Sequence, residues 1–127
     1  MYLHYPPYSY GTSLSTAAQN QLCPLFDQYG VDLVISGHRH VYERMKSINN
    51  KVAVQNGPNY TATPAGTVYL IAGSSGANAM GAGTTSYTAY SNATLYDFGI
   101  LDVSSATLSY RAIHENGTVF DTWSITK

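Results

Sequence analysis

The stretch VDLVISGHRHVYER, residues 31–44, places an apolar run directly before a pair of histidines. The run from Val31 to Ile35 is short, rich in β-branched residues and preceded by a glycine, so it predicts a buried strand rather than a helix. Gly37 ends this strand and lets the chain turn sharply, which places His38 and His40 on a loop at a strand end. Ligands of α/β sheets bind at such positions.

Two interpretations of this histidine pair are open. Neutral imidazole is the commonest metal ligand in proteins, and two histidines this close deliver two nitrogens to one small volume. The alternative is a pair of solvated surface residues. A further histidine, His4, follows a short apolar start and precedes two prolines that end the strand, so it is a second candidate at a strand end. His114 lies beside an Asn-Gly turn and is expected on the surface of a hairpin.

The segments HYPPY, LCPLFDQYGVDLVISGH and GHRHVYER together resemble the C-terminal half of a purple acid phosphatase-like metallophosphoesterase, in the calcineurin-like phosphoesterase superfamily. The pattern G-H-x-H-x-Y-E-R after an apolar strand is the most specific part. The resemblance implies a two-metal centre, iron paired with zinc, manganese or iron, in which His4 and His38 hold one metal and His40 holds the other. Tyr8 and Tyr42 are candidate pocket residues.

The acidic ligand segments of that family do not occur in this sequence. The family uses an aspartate in a D-x-H or D-x-G segment, a G-D-x-x-Y segment and a G-N-H-E segment, and none of them is found here. The chain would supply three of the roughly seven ligands that a two-metal centre needs. We therefore expect at most partial metal occupancy, and little or no activity from the isolated chain. The missing ligands would come from an N-terminal half or from other copies of the chain.

Two functions are compatible with this pattern. The first is metal-dependent hydrolysis of phosphate monoesters, as in acid phosphatases, with this chain supplying the histidine ligands. The alternative is a non-catalytic structural module that self-assembles into a homo-oligomer or filament through the sheet edge and apolar face left exposed. The histidines favour the enzyme, whereas the missing acidic segments favour the assembly module.

Composition restricts the class of protein. The 127 residues are 44% hydrophobic, which predicts one globular unit. The resemblance implies that residues 1–127 form a single partial metallophosphoesterase domain, its C-terminal half. Only 10% of the residues are charged and the net charge is −1, so we expect no nucleic-acid partner, and no apolar run reaches the length of a membrane span. Asn59, Asn92 and Asn116 begin Asn-x-Thr sequons and are candidate glycosylation sites. The low charge, the many Ser, Thr and Tyr residues, and the resemblance to the family together favour a secreted protein.

The remaining patterns predict an α/β class, with a helix and a mixed sheet followed by an antiparallel β-meander, as in half of a two-sheet sandwich. Helical spacing runs from Ser13 to Tyr29, with Ser13 or Ser15 as N-cap and a kink or restart at Pro24. Strands are predicted on both sides of a turn at Asn49-Asn50, over residues 67–72, and in the meander that starts at residue 95.

The segments between these elements are predicted to be irregular. Residues 56–66 are rich in Gly, Pro and Asn and predict a surface loop. The Gly-Ser-rich residues 73–86 predict a connector, with a substrate-contacting lip as the alternative. Glu43 and Arg44 are expected to form an internal salt bridge that braces the histidine loop. Four aromatic residues of the meander are expected in one core: Phe98, Tyr110, Phe120 and Trp123.

Overall fold

Two short helices form the outer layer of the fold. In the computed structural model, which describes residues 1–127, α1 spans Thr16–Gln21 and α2 spans Cys23–Gln28. The Ser15 hydroxyl caps α1 by accepting a hydrogen bond from the amide three residues on, at 3.1 Å. Pro24 lies in the first turn of α2, where its missing N–H leaves no bond unmade. The predicted helix therefore restarts at Pro24. No helix of the chain has the length and apolar character needed to cross a membrane.

Ten strands follow or flank these helices, and they form two sheets. In chain order they are β1 (Tyr2–Leu3), β2 (Leu33–Ser36), β3 (Tyr42–Asn49), β4 (Val52–Gln55), β5 (Asn59–Thr61), β6 (Thr67–Ala72), β7 (Thr88–Asn92), β8 (Asp97–Val103), β9 (Thr107–His114) and β10 (Val119–Thr126). The six-stranded sheet has the order β1-β2-β6-β3-β4, with β7 also paired to β3. Its first three strands are parallel and β3 is antiparallel to β6, so the sheet is mixed as predicted.

The second sheet has the order β5-β10-β9-β8. Its last three strands form the predicted antiparallel meander. β5 is parallel to β10 and lies within the segment that the sequence predicted as a surface loop, so that prediction was wrong for these three residues. A strand this short shows no periodicity of its own, and its pairing depends on a strand more than 60 residues away. The turn between β3 and β4 lies at Asn50 and Lys51, one residue later than predicted, where both residues have positive φ.

The six-stranded sheet is buried on both faces. One face packs against the helices around Cys23, Phe26, Val34, Met45 and Ile71. The opposite face packs against the second sheet around Tyr42, Leu70, Tyr110, Trp123 and Ile125. A sheet covered on both sides needs apolar residues at successive positions, which explains the uninterrupted runs in β2 and β6.

Two side chains of the meander differ from prediction: Phe98 is at the surface and His114 is in the interior. Phe98 is 51% exposed, because alternation along β8 places Gly99, and not Phe98, on the face that carries Tyr110. A Cβ at Gly99 would collide with the Tyr110 ring, so only glycine fits there. His114, predicted at the surface, is buried and stacks on Phe120 with ring centroids 3.9 Å apart. Tyr110 and Trp123 lie in the core as predicted.

Candidate metal centre

The parallel pairing of β1 and β2 brings His4 and His38 together. Leu3 pairs with Ser36, so the two strands end side by side, and the next residues of each chain segment leave the sheet at the same edge. The Gly37 amide donates to the His4 carbonyl at 3.2 Å, which joins the two strand ends. The placement at strand ends that the sequence predicted for these two histidines is therefore present in the structure.

The spacing of the two imidazoles suits one metal ion. His4 Nε2 and His38 Nδ1 are 3.3 Å apart. Two nitrogens bound to one zinc at about 2.0–2.1 Å, with a tetrahedral angle between them, are themselves separated by about 3.3–3.4 Å. His4 is exposed and His38 is partly exposed, so both nitrogens are open to an ion from solvent. These two side chains fit the histidine part of a metal site.

His38 has a strained backbone. Its φ is +63°, a left-handed conformation that a residue with a Cβ adopts at a cost of about 1–3 kcal/mol. The Tyr5 ring packs against the His38 ring with centroids 3.9 Å apart, and Tyr5 is 50% exposed. Tyr5 was not among the predicted site residues, and the one sequence signal for it was its position directly after His4. The contact with Tyr5 restricts rotation of the His38 ring.

His40 has a separate set of contacts. Its Nδ1 lies 3.0 Å from the main-chain oxygen of Asn78, in the Gly-rich segment between β6 and β7. No group of three or more His, Cys, Asp or Glu side chains is arranged to hold one ion. The three histidines predicted as ligands therefore do not form such a group within this chain.

A buried carboxylate ties the His4 loop to the histidine motif. Glu43 has no exposed surface and accepts hydrogen bonds from Ser9 Oγ at 3.0 Å, from the Tyr10 amide at 3.0 Å and from Thr88 Oγ1 at 3.1 Å. Burial raises the pKa of Glu43, and these donors act against that rise. Arg39 donates a hydrogen bond to the main-chain carbonyl of Tyr10, the residue whose amide binds Glu43. Both polar groups of the Tyr10 main chain are thus held by the G-H-R-H-V-Y-E-R segment.

The predicted salt bridge between Glu43 and Arg44 is absent. Adjacent residues in a strand point to opposite faces, so Arg44 reaches the second sheet. There it binds Asp121, with Nε to Oδ2 at 2.8 Å and Nη2 to Oδ1 at 3.1 Å, and it donates to the Tyr60 hydroxyl at 2.7 Å. This ion pair connects the two sheets and does not involve the histidine loop.

The two tyrosines predicted to line a pocket are both buried. Tyr42 has no exposed surface; its hydroxyl donates to Asp121 at 2.8 Å and accepts from Trp123 Nε1 at 3.1 Å. The structure therefore places Tyr42 in the core between the two sheets. Tyr8 is 2% exposed and packs against Tyr69 and Tyr87, and its edge contributes to a shallow cleft. Alternation along β3 explains the position of Tyr42, because Glu43 faces the histidine side.

Comparison with known proteins finds similar sequences and a similar fold among acid phosphatases. No family model matches the chain. Acid phosphatase A of Cryphonectria parasitica is 37% identical over 75 residues, which are 58% of this chain and 14% of that protein. Purple acid phosphatase 1 of Ipomoea batatas is 33% identical over 102 residues, 73% of this chain and 21% of that protein. A purple acid phosphatase from yellow lupin (Lupinus luteus) seeds superposes with a TM-score of 0.79 at 23% identity, covering 98% of this chain and 24% of that one.

The chain is purple acid phosphatase-like in sequence and in fold. The similarity of fold extends over almost all of its residues, and the α/β class with a mixed sheet and a following meander is the one that the sequence predicted. The chain spans about a fifth or less of the length of the two curated relatives described above. Its relation to a phosphatase family is therefore shown.

Proposed function

We propose that this chain supplies the histidine ligands of a two-metal centre, iron with zinc, manganese or iron, that hydrolyses phosphate monoesters. The observation that carries the proposal is the 3.3 Å separation of His4 Nε2 and His38 Nδ1 at the joined ends of two parallel strands. When bound, such metals polarise phosphoryl oxygens and lower the pKa of a coordinated water.

The roles of the residues follow from their positions. His4 and His38 hold one metal through the two facing nitrogens, and His40 offers a nitrogen to the other. Tyr5 packs on His38 and limits its rotation. Glu43 and Arg39 hold the Tyr10 main chain from both sides, which keeps the His4 loop against the histidine loop. The acidic ligands come from an N-terminal half or from other copies of the chain, so the isolated chain holds metal only partially.

Metal binding by the isolated chain tests the first role. We expect zinc titration calorimetry to give one site per chain, and His4→Ala and His38→Ala each to weaken it at least about tenfold, since each removes half of the available donors. His40→Ala is the matched control, because it removes an imidazole from the same loop while leaving the facing pair intact. Equal loss in all three variants, or no zinc binding by the unaltered chain, would contradict the assignment of this pair.

Phosphatase activity tests the second part of the proposal. Hydrolysis of an aryl phosphate by the zinc-, manganese- or iron-loaded chain should be slower by orders of magnitude than hydrolysis by a full two-metal enzyme, because a second metal stabilises the attacking and leaving oxygens. Activity should rise when an N-terminal half containing the acidic segments is added. Family-like turnover by the 127-residue chain alone would show that copies of the chain complete the site.

A second candidate function is a non-catalytic assembly module. Two observations favour it: no complete ligand group is present, and the outer edge of β1 is unpaired with Met1 60% and Tyr2 73% exposed. Unpaired strand edges with apolar side chains recruit other chains. Light scattering over a range of concentrations should then show a dimer or larger species that Tyr2→Lys reduces. A monomer at every concentration would exclude this function for the isolated chain.

We also propose that the chain belongs to a secreted glycoprotein. Asn59 and Asn116 are exposed, as an acceptor for a glycan must be, whereas Asn92 is partly buried in β7. This arrangement supports glycosylation at the first two sites rather than at Asn92. Peptide mass spectrometry of the protein secreted from a eukaryotic host measures the occupancy of each site.

A further inference from the structure

Several hydrogen bonds join the Gly-rich segment between β6 and β7 to the histidine motif G-H-R-H-V-Y-E-R. We propose that its residues 78–81, called the 78–81 segment, position His40 by fixing which ring nitrogen carries the hydrogen, and that Arg39 holds the segment in place. The inference rests on the proposed function only in taking His40 as a metal ligand; the orientation of the ring is independent of any metal.

Two hydrogen bonds join His40 itself to the 78–81 segment. Its Nδ1 lies 3.0 Å from the Asn78 main-chain oxygen, and its own carbonyl accepts from the Met80 amide at 2.9 Å. A carbonyl oxygen can only accept, so the Nδ1 atom must donate and therefore carries the hydrogen in the neutral ring. The lone pair is then on Nε2. A histidine whose other nitrogen donates to a main-chain carbonyl is fixed in tautomer and orientation for metal binding.

Arg39 holds the 78–81 segment in place through hydrogen bonds. Its side chain is only 6% exposed, and its two terminal nitrogens donate to main-chain carbonyls on different loops, Tyr10 and, at 2.9 Å, Gly81. No carboxylate forms a salt bridge with it, and its Nε has no partner. A buried guanidinium used in this way joins two loops at once, because its fork of donors is rigid.

Close packing explains the small residues around this contact. A Cβ at Gly73 would collide with the Arg39 carbonyl, and a Cβ at Gly83 would collide with the Tyr10 ring. On both sides of the 78–81 segment, only a glycine therefore allows the main chain to lie this close to the histidine motif. The Gly-rich composition, which predicted a connector, serves here to bring main-chain acceptors within reach of His40 and Arg39.

The two histidines of the motif consequently present different nitrogens. His38 turns Nδ1 toward His4, at 3.3 Å, while His40 uses Nδ1 for the Asn78 carbonyl and has only Nε2 free. Loss of a partner that orients a metal ligand weakens metal binding by about 10–100-fold. Arg39 is therefore a positioning residue, and its loss should act on His40 through the 78–81 segment.

The ring tautomer can be measured directly. In long-range proton–nitrogen NMR spectra of the metal-free, nitrogen-15-labelled chain, with the imidazoles neutral, His40 should show its hydrogen on Nδ1. Arg39→Gln should convert His40 to a mixture of tautomers, with partial recovery in Arg39→Lys, which keeps a positive donor. Arg111→Gln is the matched control, because Arg111 is exposed and makes a single long ion pair with Asp102; it should leave the His40 signals unchanged.

A zinc titration of the unaltered chain then separates the inference from the proposed function. Failure of the unaltered chain to bind zinc would overturn the proposed function, but the tautomer would still decide the inference. A hydrogen on Nε2 of His40 in the unaltered chain, or an unchanged tautomer in folded Arg39→Gln, would overturn it. If Arg39→Gln does not fold, hydrogen exchange at the Met80 amide of the unaltered chain replaces it as the test. Rapid exchange would overturn the inference, and slow exchange together with the Nδ1 tautomer would support it.

Discussion

Removal of the Asp121 carboxylate should be among the most destabilising single changes in this chain. Asp121 accepts hydrogen bonds from Tyr42 Oη at 2.8 Å, from Arg44 Nε at 2.8 Å and from Arg44 Nη2 at 3.1 Å. The side chains of Arg44 and Asp121 are 5% and 9% exposed, so water does not replace the lost partner. Asp121→Ala therefore leaves a buried guanidinium with no counter-charge.

The expected loss follows from this burial. Removing one partner of a buried ion pair lowers the free energy of unfolding by about 3–5 kcal/mol. For a chain of this length each kcal/mol corresponds to about 4 °C, so the melting temperature should fall by about 12–20 °C. Replacing both partners with apolar residues, Arg44→Met with Asp121→Leu, removes the unpaired charge. The double variant should therefore be more stable than Asp121→Ala, even though it contains more changes.

Urea unfolding followed by circular dichroism measures these differences. The matched control is Asp102→Ala, which breaks the ion pair between Arg111 and Asp102 within the meander. The two side chains of this pair are 3.4 Å apart, and they are 48% and 63% exposed, respectively. This exposed pair should contribute less than about 1 kcal/mol. A loss below about 1 kcal/mol for Asp121→Ala, or a double variant less stable than the single one, would refute the reasoning that charge burial dominates at this contact.

Three further predictions concern a helix cap, a buried acid and the sequons. Ser15→Ala should lower the free energy of unfolding by about 0.5–2 kcal/mol in urea titrations, because the first amides of α1 lose their acceptor. Burial raises the pKa of Asp97, so its contribution to stability is complete at acidic pH and falls as pH rises through that pKa; Asp97→Asn should flatten this fall in the free energy of unfolding, measured by urea titrations at a series of pH values. Asn59→Gln and Asn116→Gln should each remove one glycan from the secreted protein, and an unchanged mass would show the site is unused.

Local sequence patterns predicted most of the elements that position the site. The β2 strand and the strand over residues 67–72 were evident from continuous apolar runs, and the restart of the helix at Pro24 followed from the missing amide of proline. Placement of His4 and His38 at strand ends followed from the residues that stop each strand. All of these features depend on residues within one turn or one strand. They can therefore be predicted from residues that are adjacent in the sequence.

The contacts that organise the site join residues distant in sequence. Glu43 meets the Tyr10 amide across 33 residues, His40 meets the Asn78 carbonyl across 38, and Arg44 meets Asp121 across 77. Adjacent letters suggested a Glu43–Arg44 pair instead, because a linear pattern does not show that neighbours in a strand face opposite layers.

The sequence by itself thus determined the class of fold, the histidine loop and the resemblance to purple acid phosphatases, because hydrophobic periodicity, turn residues and motif spacing are local properties. Only the tertiary structure decided which nitrogens face each other, that Tyr42 and His114 are buried, and that β5 joins the second sheet. These outcomes depend on which strands pair and which faces pack. Such choices minimise the free energy of the whole chain, since a short strand or a polar side chain gains its partner only when distant segments come together.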